Sequence, residues 1–437
     1  MEKTYPDIVG QIPKLNSQLY HRVIDRIKAH DPNTPIKLIK SIHEIPFSMP
    51  KNIPATDRDK VFWEKVKHSL TLREKEQNHC YGDMRFVHVF VAVEGVVESY
   101  QFVIGGENEC PFMCNMCYLQ GTFKSSPVPT IFTNFHDDGL LIREIKLALL
   151  AMHMHVQAEG KGDYIGRKNQ DTVHRIMGLL NEAIGSVNDT QSIHDIFTAN
   201  KKAIDDQLTS SPIDKLQPIR DNIDKFNFQS LTDQFQFNCS ELNDGLANDH
   251  LTDNSKFLMD IFENPVMVKD GGWLQIRTKS DNFDNLLQAR SNSNLKVSLS
   301  ILAPAFIERT ANIDEKLEGA VKLQKLGYKL SINVDPIFLH GDTVKVYSKI
   351  LDKIASNIST DPAIFDHLTL GMLRFGKNTR DIVEKRNPKL FGHYQKNMVK
   401  EDEKYRYDRD KRIKIYKGLI DHARKVMPGI NIQLSTE

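Results

Sequence analysis

Three of the five cysteines in this 437-residue chain fall within eight consecutive positions, as Cys110, Cys114 and Cys117 of the run ECPFMCNMCYLQ. The C-x3-C-x2-C spacing lets one loop wrap three corners of a 4Fe-4S cubane, a cluster ordinarily held by four thiolates. With three supplied, one iron stays open to an outside ligand. S-adenosyl-L-methionine suits that opening. Its amino and carboxylate groups can chelate the iron, and one electron then splits the sulfonium to a 5′-deoxyadenosyl radical, which the protein aims while excluding water. Tyr118, an aromatic directly after the third cysteine, adds to this reading. Two plainer readings compete: a zinc site completed by a ligand elsewhere, or thiols packed as small hydrophobes. Zinc motifs usually come as C-x2-C pairs, and this chain has no second pair. An odd cysteine count with three clustered suits a metal site in a reducing compartment better than a disulfide framework. Cys80 reads as structural.

Such a loop has to be delivered by something rigid. From Arg85 the chain turns β-rich, RFVHVFVAV and then VESYQFVIGG, and the second run ends in glycines just before the cysteines. Short apolar strands then alternate with helical segments: TIFTN and GLLIREIKLALLAMHMHV, DQFQFN and NSKFLMDIFE, GWLQIRT and NFDNLLQARS, VSLSIL and IDEKLEGAVKLQKLG, KLSINV and VKVYSKILDKIAS, and finally HLTLGMLR. Repeated strand–helix units predict parallel strands with right-handed crossovers. The expected fold is α/β, a partial (β/α) TIM-type barrel of the radical SAM type. Chemistry in such barrels sits at the C-terminal strand ends, where Cys110, Cys239, Lys279 and Asp335 fall. Ahead of the barrel, residues 1–95 read as an α/β cap, with helices over Tyr20 to Ala29 and Val61 to Gln77 around a strand near Ile36 to Ile39. The barrel begins over 96–159 with the cluster loop. Residues 160–230, rich in Asn, Asp, Gln, Lys and Ser, form a helical insertion or lid far longer than an ordinary connection. Residues 231–437 complete the barrel and end in a C-terminal DNA-contacting region.

With 40% hydrophobic and 26% charged residues the chain can bury a substantial core, and its formal charge of +1 confines any nucleic-acid surface to a local patch. The opening MEKTYPDIVGQIPKLNSQLY has no apolar signal core, and no stretch approaches the ~20 apolar residues of a membrane span, so a cytoplasmic protein with no membrane partner is expected.

Taken together, CNMCYLQGTF, NCSELNDGLANDHLT, GWLQIRTKSDNFDNLL, VSLSI, NVDPIFLHGD and LGMLRFGKNTRDIVEKRNP resemble the spore photoproduct lyase family, which repairs a UV-induced thymine dimer in DNA. The resemblance implies that Cys239 gives a hydrogen atom to the thymine radical once the lesion bond has broken. It further implies that Tyr118 relays radical character back towards the cofactor, and that Ser240, Lys279 and Ser300 contact the bound cofactor through its ribose and carboxylate. An electron donor such as flavodoxin or ferredoxin is implied as a partner alongside UV-damaged DNA. Met116 stands where the family often has an aromatic residue, and the insertion is longer than the family's.

Near the C-terminus KYRYDRDKRIKIYKG interleaves Lys and Arg with Tyr405, Tyr407 and Tyr416, a mix able to neutralise phosphates and stack on exposed bases. Its plainer reading is a solvated helix face. His136, His153, His155 and His340 are scattered rather than set at metal-ligand spacing. Two other functions stay open at this point: radical chemistry on another modified base or a non-DNA substrate, and nucleic-acid binding with a structural metal.

Overall fold

The computed structural model describes residues 7–11, 17–39, 69–78, 82–90, 101–112, 114, 117, 128–137, 139–159, 167–239, 242–288, 294–302, 312–386, 391–392, 398–401 and 404–435. Its largest sheet has eight strands whose order in space follows their order in the chain. They are β1 (Val87–Val89), β2 (Phe102–Ile104), β3 (Phe235–Cys239), β4 (Gly272–Thr278), β5 (Leu295–Ser300), β6 (Lys329–Ile337), β7 (Phe365–Met372) and β8 (Ile432–Leu434). β1 runs antiparallel to β2, and every later neighbour is parallel. Parallel neighbours require crossovers, most of which are helical. α1 (Leu140–Glu159), α2 (Arg167–Ala183) and α3 (Ile193–Ser210) lie between β2 and β3, and α4 (Asn254–Phe262) between β3 and β4. α5 (Ile313–Lys325), α6 (Thr343–Asn357) and α7 (Arg409–Val426) serve the last three crossovers. Among the described residues the sheet is open, with β1 and β8 at its edges. This is the parallel α/β arrangement expected of a partial barrel.

Each element has a local cause. Every residue of β5 is buried, as in a strand covered on both faces. α1 buries an unbroken run from Glu144 to His155, which marks a helix enclosed on nearly all sides rather than an amphipathic surface helix. α5 starts at a capping box in which Asn312 takes the amides of Asp314 and Glu315 while the Glu315 carboxylate takes the Asn312 amide. Where NFDNLLQARS reads as a helix, the described part is a single 3-10 turn, Leu286–Gln288.

A second sheet orders its strands Ile36–Ile39, Asp7–Gln11, Ser69–Arg73, Thr130–Phe132 and Glu107–Asn108. It corrects two expectations. The helix expected over Val61 to Gln77 is overridden from residue 69 on, where Ser69–Arg73 is a strand paired on both sides, with Leu70 and Leu72 fully buried. TIFTN supplies the strand Thr130–Phe132 of this smaller sheet and is not part of the large one; the strand feeding the cysteine loop from the large sheet is β2.

Of the helices within residues 160–230, α2 packs against α1 and α3 against α2. α2 also reaches the sheet edge. His174 Nε2 accepts the Val89 amide at 2.9 Å, and Gln170 donates to the Val89 carbonyl at 3.0 Å. Gly82, at a φ of 67°, lies so close to α2 that a Cβ there would come within 2.5 Å of the His174 carbonyl. No helix among the described residues is long and apolar enough to cross a membrane.

Candidate active site

β3 ends on Cys239, β4 ends one residue before Lys279, and β5 ends on Ser300, so three of the expected residues stand at C-terminal strand ends. Cys239 lies beside Ile104 of β2 and Ile276 of β4, and is 7% exposed. Cys110, Cys114 and Cys117 carry no disulfide and are partly buried, and the Cys117 amide donates to the Cys114 carbonyl at 3.0 Å. Tyr118, Ser240, Met116 and Cys80 lie outside the described residues.

A carboxylate absent from the expected set ties these parts together. Asp244 is buried; it accepts the Thr278 hydroxyl at 2.6 Å and the Lys279 amide at 2.5 Å, clamping the loop after Cys239 to the end of β4. Its charge reaches Cys110, Cys114, Cys239 and Lys279. Burial alone would lower the Lys279 pKa, but Cys114, Asp244, Cys117 and Cys110 outweigh it and raise it, so the thiols act on this cation electrostatically. Burial drives the Cys110 thiol well above its ordinary value, with Asp244 and the other two cysteines adding to the effect.

Glu107 is the second residue that sequence reasoning missed. It is 4% exposed and accepts the amide groups of Asn248 at 2.8 Å, Asn254 at 2.9 Å and Asn243 at 3.5 Å. Burial pushes it up to about 7 against those bonds, with Asp249 and Asp244 raising it further. All three amides follow Cys239 in the chain, so Glu107 fastens the Cys239 loop to the cysteine segment. Within DHLT, Asp249 takes the Ser255 amide at 2.7 Å and its hydroxyl at 2.5 Å, bracing the start of α4. The N-terminal helix Gln18–His30 grips the same segment, Arg26 holding Asp253 through two 2.8 Å bonds.

The donor chemistry suits an iron–sulfur cluster. Three thiols outside any disulfide lie close together in the chain and within electrostatic reach of Lys279, and thiolate sulfur is the ligand such clusters take. Among the described residues no three His, Cys, Asp or Glu side chains close on one point as for a single metal ion; a cubane spreads its ligands around its corners.

The C-terminal basic segment divides in two. Lys404–Tyr407 forms a three-stranded antiparallel sheet with Arg374–Gly376 and Met398–Glu401, and the rest is α7. Two of its tyrosines are core pins, which corrects the expectation that they stack on bases. Tyr407 is fully buried with its hydroxyl taking the Leu339 amide at 3.3 Å, and the Tyr416 hydroxyl takes the Met372 amide at 2.9 Å. Tyr405 lies under the Arg380 guanidinium, 4.4 Å from its ring centroid. Among the histidines, His136 bonds Asn254 at 2.8 Å and His153 meets the Asp270 carbonyl at 3.2 Å, both structural contacts.

Strand ends carrying Cys239 and Ser300 and abutting Lys279, in a mostly parallel sheet that is open among the described residues, define a partial-barrel α/β protein with one cysteine-rich segment. The family model for spore photoproduct lyase matches residues 215–433, half of the chain. The chain belongs to the spore photoproduct lyase family. It is 29% identical over 196 residues to spore photoproduct lyase of Bacillus subtilis (strain 168), a match covering 44% of this chain and 54% of that protein. A Geobacillus sp. spore photoproduct lyase is 27% identical over 160 residues, 35% of this chain and 45% of that protein. The chain thus spans about half the length of the curated relatives it matches. Among solved structures, a cysteine-to-alanine variant of spore photoproduct lyase superposes with a TM-score of 0.63 at 17% identity, covering 100% of this chain and 99% of the other. A double variant with bound AdoMet and dinucleoside spore photoproduct gives 0.62 at 17%, covering 99% of each. These likenesses establish the fold.

Proposed function

We propose that this protein is a radical S-adenosylmethionine lyase that repairs a UV-induced thymine dimer in DNA, with Cys110, Cys114 and Cys117 holding a 4Fe-4S cluster. Cluster and S-adenosylmethionine together would supply a carbon-centred radical. The residues then divide the remaining work. Lys279, within electrostatic reach of the thiols, would hold the cofactor's carboxylate, with Ser240 and Ser300 contacting the ribose. Cys239 would give a hydrogen atom to the repaired base, and Tyr118 would return radical character to the cofactor. Arg374, Lys400, Lys404 and Arg406 on the three-stranded sheet would meet the phosphates of a lesion turned out of the stack, since a stacked base cannot reach a buried site. An electron donor such as flavodoxin or ferredoxin would complete the system in the cytoplasm.

The observation that carries this reading is the state of Cys239. Burial first, then the charges of Glu107, Asp249 and Asp244, push its pKa far up, so the sulfur keeps its hydrogen at the strand end. The family relationship and the AdoMet and lesion bound by a structural neighbour support the substrate. Anaerobically reconstituted protein incubated with UV-damaged DNA should return thymine. Cofactor cleavage without DNA turnover would move the substrate elsewhere, and protein with no iron–sulfur absorption would end the proposal.

A further inference from the structure

Lys316 is an unusual lysine. It is 1% exposed, in the first turn of α5, where a cation opposes the helix dipole instead of complementing it. Buried lysines are ordinarily paired with carboxylates, as Lys146 is with Asp270 at 2.5 Å elsewhere in this fold. Among the described residues the Lys316 ammonium, with three protons to place, meets one acceptor, the Ser300 carbonyl at 3.3 Å, and no carboxylate within ion-pair distance. It belongs to the site by position. Ser300 ends β5, and the charges acting on Lys316 are those of Lys279, Asp244, Cys114 and Asp281. Burial, then repulsion from Lys279, brings its pKa down to about 8, against the pull of Asp244 and Cys114.

An under-bonded ammonium beside a second lysine and a helix N-terminus makes a concentrated positive spot, and leaving it unpaired in a dry interior is costly. We infer that Lys316 is a second cation of the cofactor pocket and pairs, with Lys279, with the carboxylate of bound S-adenosylmethionine. The inference rests on the function proposed above. Two lysines on different crossovers would fix that carboxylate from two directions, so the methionyl end cannot swing while the sulfonium is held for cleavage.

The test compares Lys316→Met with wild type, both anaerobically reconstituted, by the binding of S-adenosylmethionine and of decarboxylated S-adenosylmethionine, which lacks the group in question. Lys316→Met should bind S-adenosylmethionine about ten-fold or more weakly and the decarboxylated analogue as wild type does. Lys316→Arg should recover part of the loss. Methionine matches the lysine stem and removes an under-bonded charge, so the variant without cofactor should melt no lower than wild type, while the rise in Tm on adding S-adenosylmethionine should shrink. Equal weakening of both ligands, no weakening, or a lower melting point with the ligand-induced rise intact would overturn the inference. A shifted cluster potential with unchanged affinity would also overturn it, by assigning the charge to the cluster. Wild-type protein that binds no S-adenosylmethionine would sink the proposed function as well, whereas wild-type affinity retained by the variant would sink this inference alone.

Discussion

On the function proposed above Cys239 has to keep a hydrogen atom on sulfur, and its surroundings suit that role. Seven per cent exposed and facing the charges of Glu107, Asp249 and Asp244, the thiol gains nothing by ionising. Replacing it as Cys239→Ala should leave cofactor cleavage intact while abnormal thymine products replace clean repair, as resolved by chromatography of digested DNA. Unaltered repair would remove Cys239 from the donor role. The three clustered thiols stood out in the sequence because cysteine is scarce, five in 437 residues, and their spacing is chemical, whereas Cys239 stood out only through the resemblance of the segment around it. Asp244 and Glu107 did not, because single acids are common along the chain and carry no period. Only the fold sets Asp244 against the Thr278 hydroxyl and Glu107 among three amide side chains. Lys316 was hidden differently, within a helix whose other lysines lie on its outer side.

At the scale of elements, α1 and α2 finish an edge. β1 closes one side of the large sheet, and exposed edge strands invite pairing with other chains. Here the Val89 amide is taken by His174 of α2, and Glu144 of α1 takes the amides of Arg85, Phe86 and Val87 between 2.7 and 3.0 Å. To accept an amide, the His174 nitrogen must be unprotonated, and burial, with the nearby His88, brings its pKa down to about 4. The unfolded chain takes up that proton near ~6.5, so the stabilisation is fully present above that pH and is lost as pH falls towards 4. Amide exchange at Val89, corrected for its intrinsic rate, should therefore quicken between neutral pH and pH 5, and His174→Ala should abolish this pH response; a flat profile in wild type would refute it. Most strand–helix units were legible because each is local and periodic. The Ser69–Arg73 strand was not, since both of its partners, Asp7–Gln11 and Thr130–Phe132, lie far off in sequence.

For the whole molecule, a formal charge of +1 conceals a local concentration of positive charge. Arg374, Lys400, Lys404 and Arg406 share one small antiparallel sheet, and Arg412 of α7 fixes that sheet through the Tyr407 carbonyl and the Glu401 carboxylate. If this sheet meets the phosphates, Lys400→Ala and Lys404→Ala should each flatten the dependence of log affinity on log salt by about 1 without changing cofactor affinity; an unchanged slope in DNA titrations would place the contact elsewhere. The open sheet has one further consequence. Its strands lie side by side in the order in which they are synthesised, so the loop at 110–117 leaves the ribosome long before the lysines that will surround it. On the function proposed above, the nascent thiols are bare to oxidants for much of translation. On that function, the full set of groups proposed to surround the cluster exists only once residue 316 has been made, so cluster insertion would be a late step.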